Sequence, residues 1–311
     1  RSTLFPYTTL FRSQPLELSS VRDPGLGDGD QLCYSEGLGL PRGWRTAVKD
    51  VQREPDLRRI AIDRVGVRDV SYPITVKDLF NGTQSTIASV SMSVLLPHEY
   101  RGTHMSRFIE TLEEYKGRIS PATLESLAEH LREKLEASEA SIEFVFPYFV
   151  RKKAPVSGIE SFMRYEASLE GISCGSEFDM RIGVKVPVQT LCPCSREISK
   201  AGAHNQRAFV RLKIRSSGLV WFEELIRMVE DASSAPLYTL LKREDEKFVT
   251  EQAYENPRFV EDLARDLALA LNEDSRVVWY DISVTSMESI HRHDAFAELT
   301  RDKRKIGRAH V

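Results

Sequence analysis

The chain has 311 residues, of which 43 are Lys or Arg and 46 are Asp or Glu, giving a net charge of −3. This near balance, without a block of one sign, argues against a nucleic-acid or membrane surface, and no apolar run approaches the roughly 18–20 residues of a membrane span. Four cysteines, two of them in one tripeptide, are typical of a reducing compartment. Composition therefore predicts a soluble cytoplasmic protein that binds neither nucleic acid nor a membrane.

The two ends of the chain differ in character from its centre. Residues 1–13 and 306–311 resemble in-frame translations of sequencing-adapter DNA, and we expect neither end to be native. Residues 14–48 are rich in Gly, Asp, Ser and Pro without apolar periodicity, which predicts a disordered leader. The remaining stretch of about 255 residues is long enough for one large domain or two smaller ones.

Strict alternation of apolar and polar or small residues predicts β-strands along the central part of the chain. The clearest case is the first, in which Ala88, Val90 and Met92 alternate with serines. The alternating segments are residues 88–96, 142–146, 178–188, 210–214 and 278–284. In the last of these, the alternation assigns Val278 to the buried face.

Apolar residues at helical spacing predict four helices between these strands. The first contains Phe108 and Leu112 and ends near Gly117, and the second begins with Ser120 as N-cap and Pro121 at the first helical position. The third covers residues 222–229, and the fourth starts at Asn256-Pro257 and extends to Leu271. The charged segment KREDEKFVTE (242–251) lies between the last two helices, and a run of solvated charges is its ordinary interpretation.

The predicted elements follow a repeating order of two strands, two helices and two strands. One-sided strands of this kind predict an α+β fold with antiparallel sheets and helices on one face. We expect a first ββααββ-like module over residues 50–173 and a second over residues 174–303. The boundary is predicted near Gly171–Ser176, where glycine recurs and polarity rises.

The segment LCPCSREISKAGAHNQR (191–207) predicts a metal site. Thiolate and imidazole ligands suit a zinc-class divalent ion, and antiparallel neighbours bring Cys192 and His204 together at the two ends of a connecting loop. Pro193 favours an extended Cys192, so that spacing allows Cys192, Cys194 or both to bind. The alternative is a pair of buried cysteines and a hydrogen-bonded loop histidine.

Three further segments carry candidate site residues. His291 and His293 in ESIHRHDA (288–295) share one side if the chain is extended, and either could bind a metal or be a surface residue. Glu246 is a candidate ligand within the charged segment. Glu261 in the fourth predicted helix could face solvent, or could accept two hydrogen bonds from the N1–H and 2-amino edge of guanine.

Six ordered blocks between Asp50 and Arg301 resemble type IB GTP cyclohydrolase I. The blocks are GTQST (82–86), GTHMSRF (102–108), KKAPVSGI (152–159), LCPCSREIS with GAHNQR, LLKREDEKFVTEQAYENPRFVED (240–262) and ESIHRHDA. The resemblance implies the tunnelling fold, with two ββααββ-like modules in one chain. It also implies a homotetramer with sites at subunit interfaces.

The resemblance implies particular roles for individual residues. It makes Cys192, His204, Glu246 and His291 the metal-binding and catalytic residues, which selects Cys192 over Cys194 and His291 over His293. It makes Glu261 the guanine anchor and leaves zinc, manganese and iron open as the metal. A bound triphosphate needs cations, and five basic residues in or beside the matched blocks are candidates: Arg107, Lys152, Lys153, Arg207 and Arg243.

The implied reaction is hydrolysis of GTP to 7,8-dihydroneopterin triphosphate and formate, the first step of tetrahydrofolate biosynthesis, by metal-activated water attack at purine C8. Three alternatives remain at this point. An archaeal-type relative gives a cyclic-phosphate product, and a nitrile reductase of the same fold uses a cysteine nucleophile with a nicotinamide cofactor. A non-catalytic protein would instead use Cys192, Cys194, His204 and His291 as a closed structural zinc site.

Overall fold

The computed structural model describes residues 50–52, 54–80, 82–115 and 119–305. The two adapter-like ends and the predicted leader lie outside these residues. No helix among those described is long and apolar enough to cross a bilayer.

The described chain forms nine strands and six helices. The strands are β1 (Ile62–Asp78), β2 (Gly82–Leu96), β3 (Glu139–Lys153), β4 (Glu160–Cys174), β5 (Glu177–Leu191), β6 (Asn205–Ser216), β7 (Ala235–Pro236), β8 (Val277–Ser286) and β9 (Ala295–Asp302). The helices are α1 (Met105–Glu114), α2 (Pro121–Lys134), α3 (Pro193–Ile198), α4 (Phe222–Ala232), α5 (Arg243–Glu255) and α6 (Val260–Glu273). A single 3₁₀ turn, Lys303–Lys305, follows β9.

All the strands belong to one antiparallel sheet. Its order is β1-β2-β3-β4-β5-β6-β8-β9, and the short β7 pairs with β5. Inward-facing strand residues such as Val184 and Ile282 share one buried core with helix residues such as Leu124 and Leu267. The predicted α+β class with an antiparallel sheet is therefore confirmed.

The alternating segments have the predicted inward faces. Ala88, Val90 and Met92 are at most 1% exposed, because one side of β2 packs into the core. Val278 is an exception, since Val277 is the buried residue at that end of β8. The register of β6 and β8 shifts between Arg215 and Ser216, which reverses the inward positions there.

The start of α2 is also as predicted. The Ser120 hydroxyl accepts a hydrogen bond from the Thr123 amide at 3.2 Å, and the Thr123 hydroxyl accepts one from the Ser120 amide at 2.6 Å. This reciprocal arrangement satisfies backbone donors that the first helical turn leaves unpaired.

The predicted module boundary falls at the turn between β4 and β5. Gly175 occupies this turn with a φ of +59°, a conformation that glycine adopts without a Cβ clash. The two strands pair from Cys174 and Glu177 at the turn to Glu166 and Lys185. The sheet thus continues across the boundary, and the division into two modules stays a prediction.

Helix α5 occupies the charged segment between the third and fourth predicted helices, where the sequence analysis predicts no helix. Its apolar stripe is sparse, because Val249 and Ala253 are its buried hydrophobic residues. They pack with Ala235 and, at the margin, Tyr238 in a small separate cluster. Packing against residues distant in the sequence therefore stabilises α5, whose own apolar pattern is too sparse to predict a helix.

The predicted start of the fourth helix is wrong by about one turn, since α6 begins at Val260. Two long-range hydrogen bonds hold the preceding segment in another conformation. The Asn256 side-chain amide donates to the Ser233 carbonyl at 2.8 Å, and the Arg258 amide donates to the Leu191 carbonyl at 3.0 Å. These bonds attach the entrance of α6 to the ends of α4 and β5.

Candidate active site

Cys192 and His204 lie side by side at the ends of β5 and β6. The Cys192 amide donates to the His204 carbonyl at 3.1 Å. The Ser195 hydroxyl donates to the Cys192 carbonyl at 3.1 Å and accepts from the His204 amide at 3.2 Å. The predicted approach of these two residues is confirmed.

Cys192 and Cys194 have different surroundings. Cys192 is extended, as Pro193 predicts, with φ −68° and ψ 117°, and its sulfur accepts from the Ser195 amide at 3.4 Å. Helix α3 begins at Pro193, so the two thiols do not follow one another along an extended strand. Cys194 is exposed, and it does not line the cavity described next.

A cavity of about 260 Å³ lies where β5, β6 and β8 meet the first turn of α6 and the start of β9. Four predicted site residues line it: Cys192, His204, Glu261 and His291. The wall also includes Thr190, Gln206, Arg258, Phe259, Val260, Ser286, Glu288, Ala295 and Phe296. Residues from four separate parts of the sequence therefore converge on one concave surface.

The His204 imidazole is mostly buried, with 14% of its side chain exposed. Its Nδ1 lies 2.9 Å from Oε1 of Gln206 and 4.0 Å from Oε2 of Glu288. Since an amide oxygen only accepts hydrogen bonds, Nδ1 is the donor. The lone pair of His204 is then on Nε2.

His291 lies between β8 and β9, beside the cavity. Its ring stacks on that of His293 with centroids 5.2 Å apart and planes inclined by 20°. Both residues are exposed, and of the two only His291 lines the cavity.

Glu261 occupies the first turn of α6 and borders the same cavity. The following residue, Asp262, accepts a hydrogen bond from the Phe259 amide at 3.1 Å and caps the helix. A carboxylate at this position is stabilised by the unpaired amides and the positive end of the helix dipole.

Glu246 is separated from the other predicted ligands. It lies on the exposed side of α5 and does not line the cavity. Within residues 50–52, 54–80, 82–115 and 119–305, no three His, Cys, Asp or Glu side chains are grouped closely enough to hold a metal ion. The donor set at the cavity nevertheless fits a divalent metal, because a thiol and two imidazoles face one space.

Comparison with known proteins decides the family. The family model for type I GTP cyclohydrolase FolE2 matches residues 48–297. The chain belongs to this family. It is 53% identical over 256 residues to the GTP cyclohydrolase FolE2 of Pseudothermotoga lettingae, covering 82% of this chain and 99% of that relative. Identity to the Thermosipho africanus GTP cyclohydrolase FolE2 is 49% over 259 residues, covering 83% and 100%.

Solved structures provide a much weaker likeness than the FolE2 relatives. A uricase from Arthrobacter globiformis is 10% identical with a TM-score of 0.47, over 79% of this chain and 95% of that one. This likeness is too low to bear on fold or function.

Lys152, a predicted triphosphate ligand of this FolE2-family chain, is held inside the protein. Its ammonium lies 2.8 Å from Oε1 of Glu230, donates to the Leu237 carbonyl at 2.8 Å and lies 4.2 Å from the Tyr238 ring centroid. Glu230 also accepts from the Tyr165 hydroxyl at 2.7 Å. Burial lowers the pKa of Lys152, against the opposing effect of Glu230.

The other four predicted cations also lie outside the Cys192 cavity. Arg107 donates to the Lys134 carbonyl at 3.0 Å, and Lys153 pairs with Glu160 at 3.4 Å. Arg243 is exposed at the start of α5. Arg207 lines a different cavity of about 460 Å³ together with Arg164 and Lys185.

Nine of the thirteen lining residues were not predicted as site residues, and three of these carry long polar side chains: Gln206, Arg258 and Glu288. Each lies within one of the six matched blocks, at two or three positions from a predicted residue. Gln206 follows His204 by two positions, and residues two apart in an extended strand lie on the same face. The sequence therefore indicates that Gln206 shares a face with His204. Arg258 could not be found in this way, because the predicted fourth helix wrongly included it.

Helix α5 is anchored by a buried carboxylate, Asp245. It accepts hydrogen bonds from the amides of Val156, Ser157 and Lys242, each at 2.8 Å, and from the Ser157 hydroxyl at 2.6 Å. Burial by itself raises the pKa of Asp245, but the bonds from Ser157, Lys242 and Val156 outweigh it and hold the pKa well below its ordinary value. The turn between β3 and β4 is thereby attached to the start of α5.

Proposed function

We propose that this protein is a GTP cyclohydrolase I that converts GTP to 7,8-dihydroneopterin triphosphate and formate, the first step of tetrahydrofolate biosynthesis. The observation that carries the proposal is the convergence of Cys192, His204, His291 and Glu261 on one cavity. Family membership supports the same activity, since the relatives are named GTP cyclohydrolase FolE2.

Cys192, His204, Glu246 and His291 are proposed to hold one divalent metal, either zinc, manganese or iron. Support comes from the Cys192 thiol and from the lone pair that the Gln206 contact leaves on Nε2 of His204. Glu246 would have to reach the cavity when the metal binds, because it now lies on the exposed side of α5. When bound, such a metal lowers the pKa of a coordinated water toward neutrality and supplies hydroxide.

Glu261 is proposed to orient the purine. Its carboxylate can accept hydrogen bonds from the N1–H and the 2-amino group of guanine, while Phe259 and Phe296 offer apolar surface to the ring. Because Glu261 and Cys192 line one cavity, a purine held by the first residue is brought to the second. Cavity histidines or Glu246 would then move protons as the imidazole ring opens.

The residues that bind the triphosphate are also a proposal, and fewer observations support it. Arg207 and Arg243 are exposed and available to an anion, whereas Lys152 is neutralised by Glu230. Arg258 lines the Cys192 cavity, where its guanidinium also pairs with Asp266 at 3.2 Å. A guanidinium suits phosphate oxygens through paired hydrogen bonds.

We also propose that the active form is a homotetramer with sites at subunit interfaces, in the cytoplasm. Apolar side chains at and beside the cavity support an interface there, since Met287, Ile290 and Phe296 are 50%, 65% and 70% exposed. A metal-binding Cys192 requires a reduced thiol, which the cytoplasm maintains.

Incubation of the metal-loaded protein with GTP tests the proposed reaction. We expect formate and a triphosphate product by mass spectrometry, and at least a 100-fold loss of turnover in Cys192→Ala and His204→Ala with retained circular dichroism. The matched control is Cys174→Ala, an exposed cysteine outside the cavity. A cyclic-phosphate product would instead indicate the archaeal-type reaction.

Chelation separates the enzyme from a structural zinc protein. Removing metal from a catalytic site leaves the fold largely intact and stops formate release, whereas a structural site couples metal loss to unfolding. Apo-protein that unfolds, together with holo-protein that releases no formate from GTP, would contradict the proposed activity.

A further inference from the structure

The side chain of Gln206 connects His204 to a buried polar group on another strand. His204 and Gln206 lie at the start of β6, and Nδ1 of the histidine is 2.9 Å from Oε1 of the glutamine. At its other end, the glutamine amide nitrogen donates to Thr190 Oγ1 at 3.3 Å and to Glu288 Oε1 at 3.5 Å. One amide therefore spans from β6 to the neighbours on both sides.

Glu288 fixes which way this amide points. A carboxylate only accepts hydrogen bonds, so the NH₂ end of Gln206 must face Glu288 and the carbonyl end must face His204. The Ser286 hydroxyl donates to the same Glu288 oxygen at 3.0 Å. Reversing the amide would place its oxygen against the carboxylate and its nitrogen against His204.

Burial makes this orientation hard to exchange. Thr190 and Ser286 are each 1% exposed, and 12% of the Glu288 side chain is exposed. Water can replace few of these bonds, so an amide in the wrong orientation leaves buried polar atoms unsatisfied. The network thus has one favourable arrangement.

We propose that Gln206, oriented by Glu288, is a positioning residue that keeps Nδ1 of His204 protonated and aims Nε2 at the metal. This inference rests on the proposed function, because it assumes that His204 binds the metal. Metal-binding histidines characteristically donate their second N–H to a neighbouring acceptor, which fixes the tautomer and the ring. Here the acceptor is an amide whose orientation depends on a second, more remote side chain.

Metal affinity without substrate tests the inference. In competition titrations of the apo-protein with Zn²⁺, we expect Gln206→Leu to weaken binding about 10–100-fold. With Co²⁺ as a spectroscopic probe, the thiolate-to-metal absorption of Cys192 should persist while the ligand-field bands change. The control Gln84→Leu removes a glutamine that likewise joins two strands through Phe149, and it should leave both readouts unchanged.

A double variant exchanges the two groups and restores the network. In Gln206→Glu with Glu288→Gln, the carboxylate at position 206 accepts from His204 and from the new amide at position 288. We expect Zn²⁺ affinity within about threefold of the parent protein, whereas Glu288→Leu alone loses affinity because the Gln206 amide is then free to turn. If Gln206→Leu does not fold, the double variant tests the positioning role in its place.

The outcomes separate this inference from the proposed function. If folded Gln206→Leu binds Zn²⁺ as tightly as the parent protein, the positioning role is wrong although metal binding stands. The same conclusion follows if the double variant does not recover the Zn²⁺ affinity of the parent protein. If the parent protein binds Zn²⁺ no more tightly than His204→Ala does, then the proposed metal site itself fails.

Discussion

At the scale of single residues, Glu261 is the side chain proposed to select the substrate. The first turn of α6 supports its negative charge, and the cavity brings it near Cys192 and His204. A site whose acceptor matches two substrate donors strongly rejects an analogue that lacks one of them. Glu261 should therefore distinguish guanine from hypoxanthine, which has no 2-amino group.

Replacing Glu261 by glutamine tests this selection. An amide offers one acceptor and turns a donor toward a donor on the substrate, so kcat/KM for GTP should fall about 100-fold. The parent should prefer GTP over inosine triphosphate by about tenfold or more, and the variant should lose most of that preference. Glu251→Gln on the exposed side of α5 is the control. Unchanged discrimination in Glu261→Gln would remove it from guanine recognition.

At the scale of elements, local sequence patterns were sufficient for some features and insufficient for others. The period of two in β2 and the cap at Ser120 depend on neighbouring residues, and both were predictable. Helix α5 was not, because its anchor Asp245 binds Val156 and Ser157 nearly 90 residues earlier. Lys152 was predicted as a phosphate ligand because its partner Glu230, 78 residues later, is invisible to motif matching.

The same distinction applies to the candidate site. Pairing of antiparallel strands predicted that Cys192 and His204 meet, and the resemblance supplied Glu261 and His291, which line their cavity. The exposed position of Glu246 depends on how α5 packs, which no short pattern specifies. The spacing of Gln206 and His204 placed both on one face, but the contact of Gln206 with Glu288 became visible only in the structure.

The anchor of α5 gives stability a defined dependence on pH. At pH 7 we expect Asp245→Asn to lower the Tm by roughly 5 °C, because the amide cannot accept all four hydrogen bonds. The pKa of Asp245 is depressed in the folded protein, so its contribution is present above the ordinary carboxyl pKa of about 3.9 and is lost as pH falls below it.

Thermal unfolding followed by circular dichroism between pH 7 and pH 3 measures this dependence. The difference in Tm between parent and Asp245→Asn should be constant down to about pH 5 and should narrow below pH 4. A difference that stays constant or widens toward pH 3 would show that the ionised carboxylate is not the source of the stability.

The cap of α2 allows a second, simpler measurement. Ser120→Ala leaves the Thr123 amide without its acceptor, which should lower the free energy of unfolding by about 1 kcal/mol. Ser120→Asn keeps an acceptor and should recover most of the loss in urea denaturation. Equal stability of the two variants would argue against the capping role.

At the scale of the whole molecule, the sheet and the cavity bear on the proposed assembly. In the described chain the sheet ends at β1 and β9, and the cavity opens beside the exposed Phe296 on β9. Covering that apolar surface with another subunit would also exclude water from the site. The proposed tetramer and the proposed chemistry are thus linked through one surface.

A charge at this surface should disrupt the tetramer. We expect Phe296→Asp to shift the mass measured by light scattering from tetramer toward smaller species and to reduce turnover at least tenfold, with the fold retained. Leu219→Asp introduces the same charge at an exposed apolar residue outside the cavity and should change neither. A fully tetrameric Phe296→Asp would place the interface elsewhere.

Formate release from GTP by apo-protein reloaded separately with zinc, manganese or iron tests whether this protein is a metal-dependent cyclohydrolase. We expect release with at least one of these metals, no release without metal, and none from His204→Ala under the same conditions. Formate release by the metal-free protein, or by His204→Ala at the parental rate, would contradict a metal-dependent cyclohydrolase centred on the Cys192 cavity.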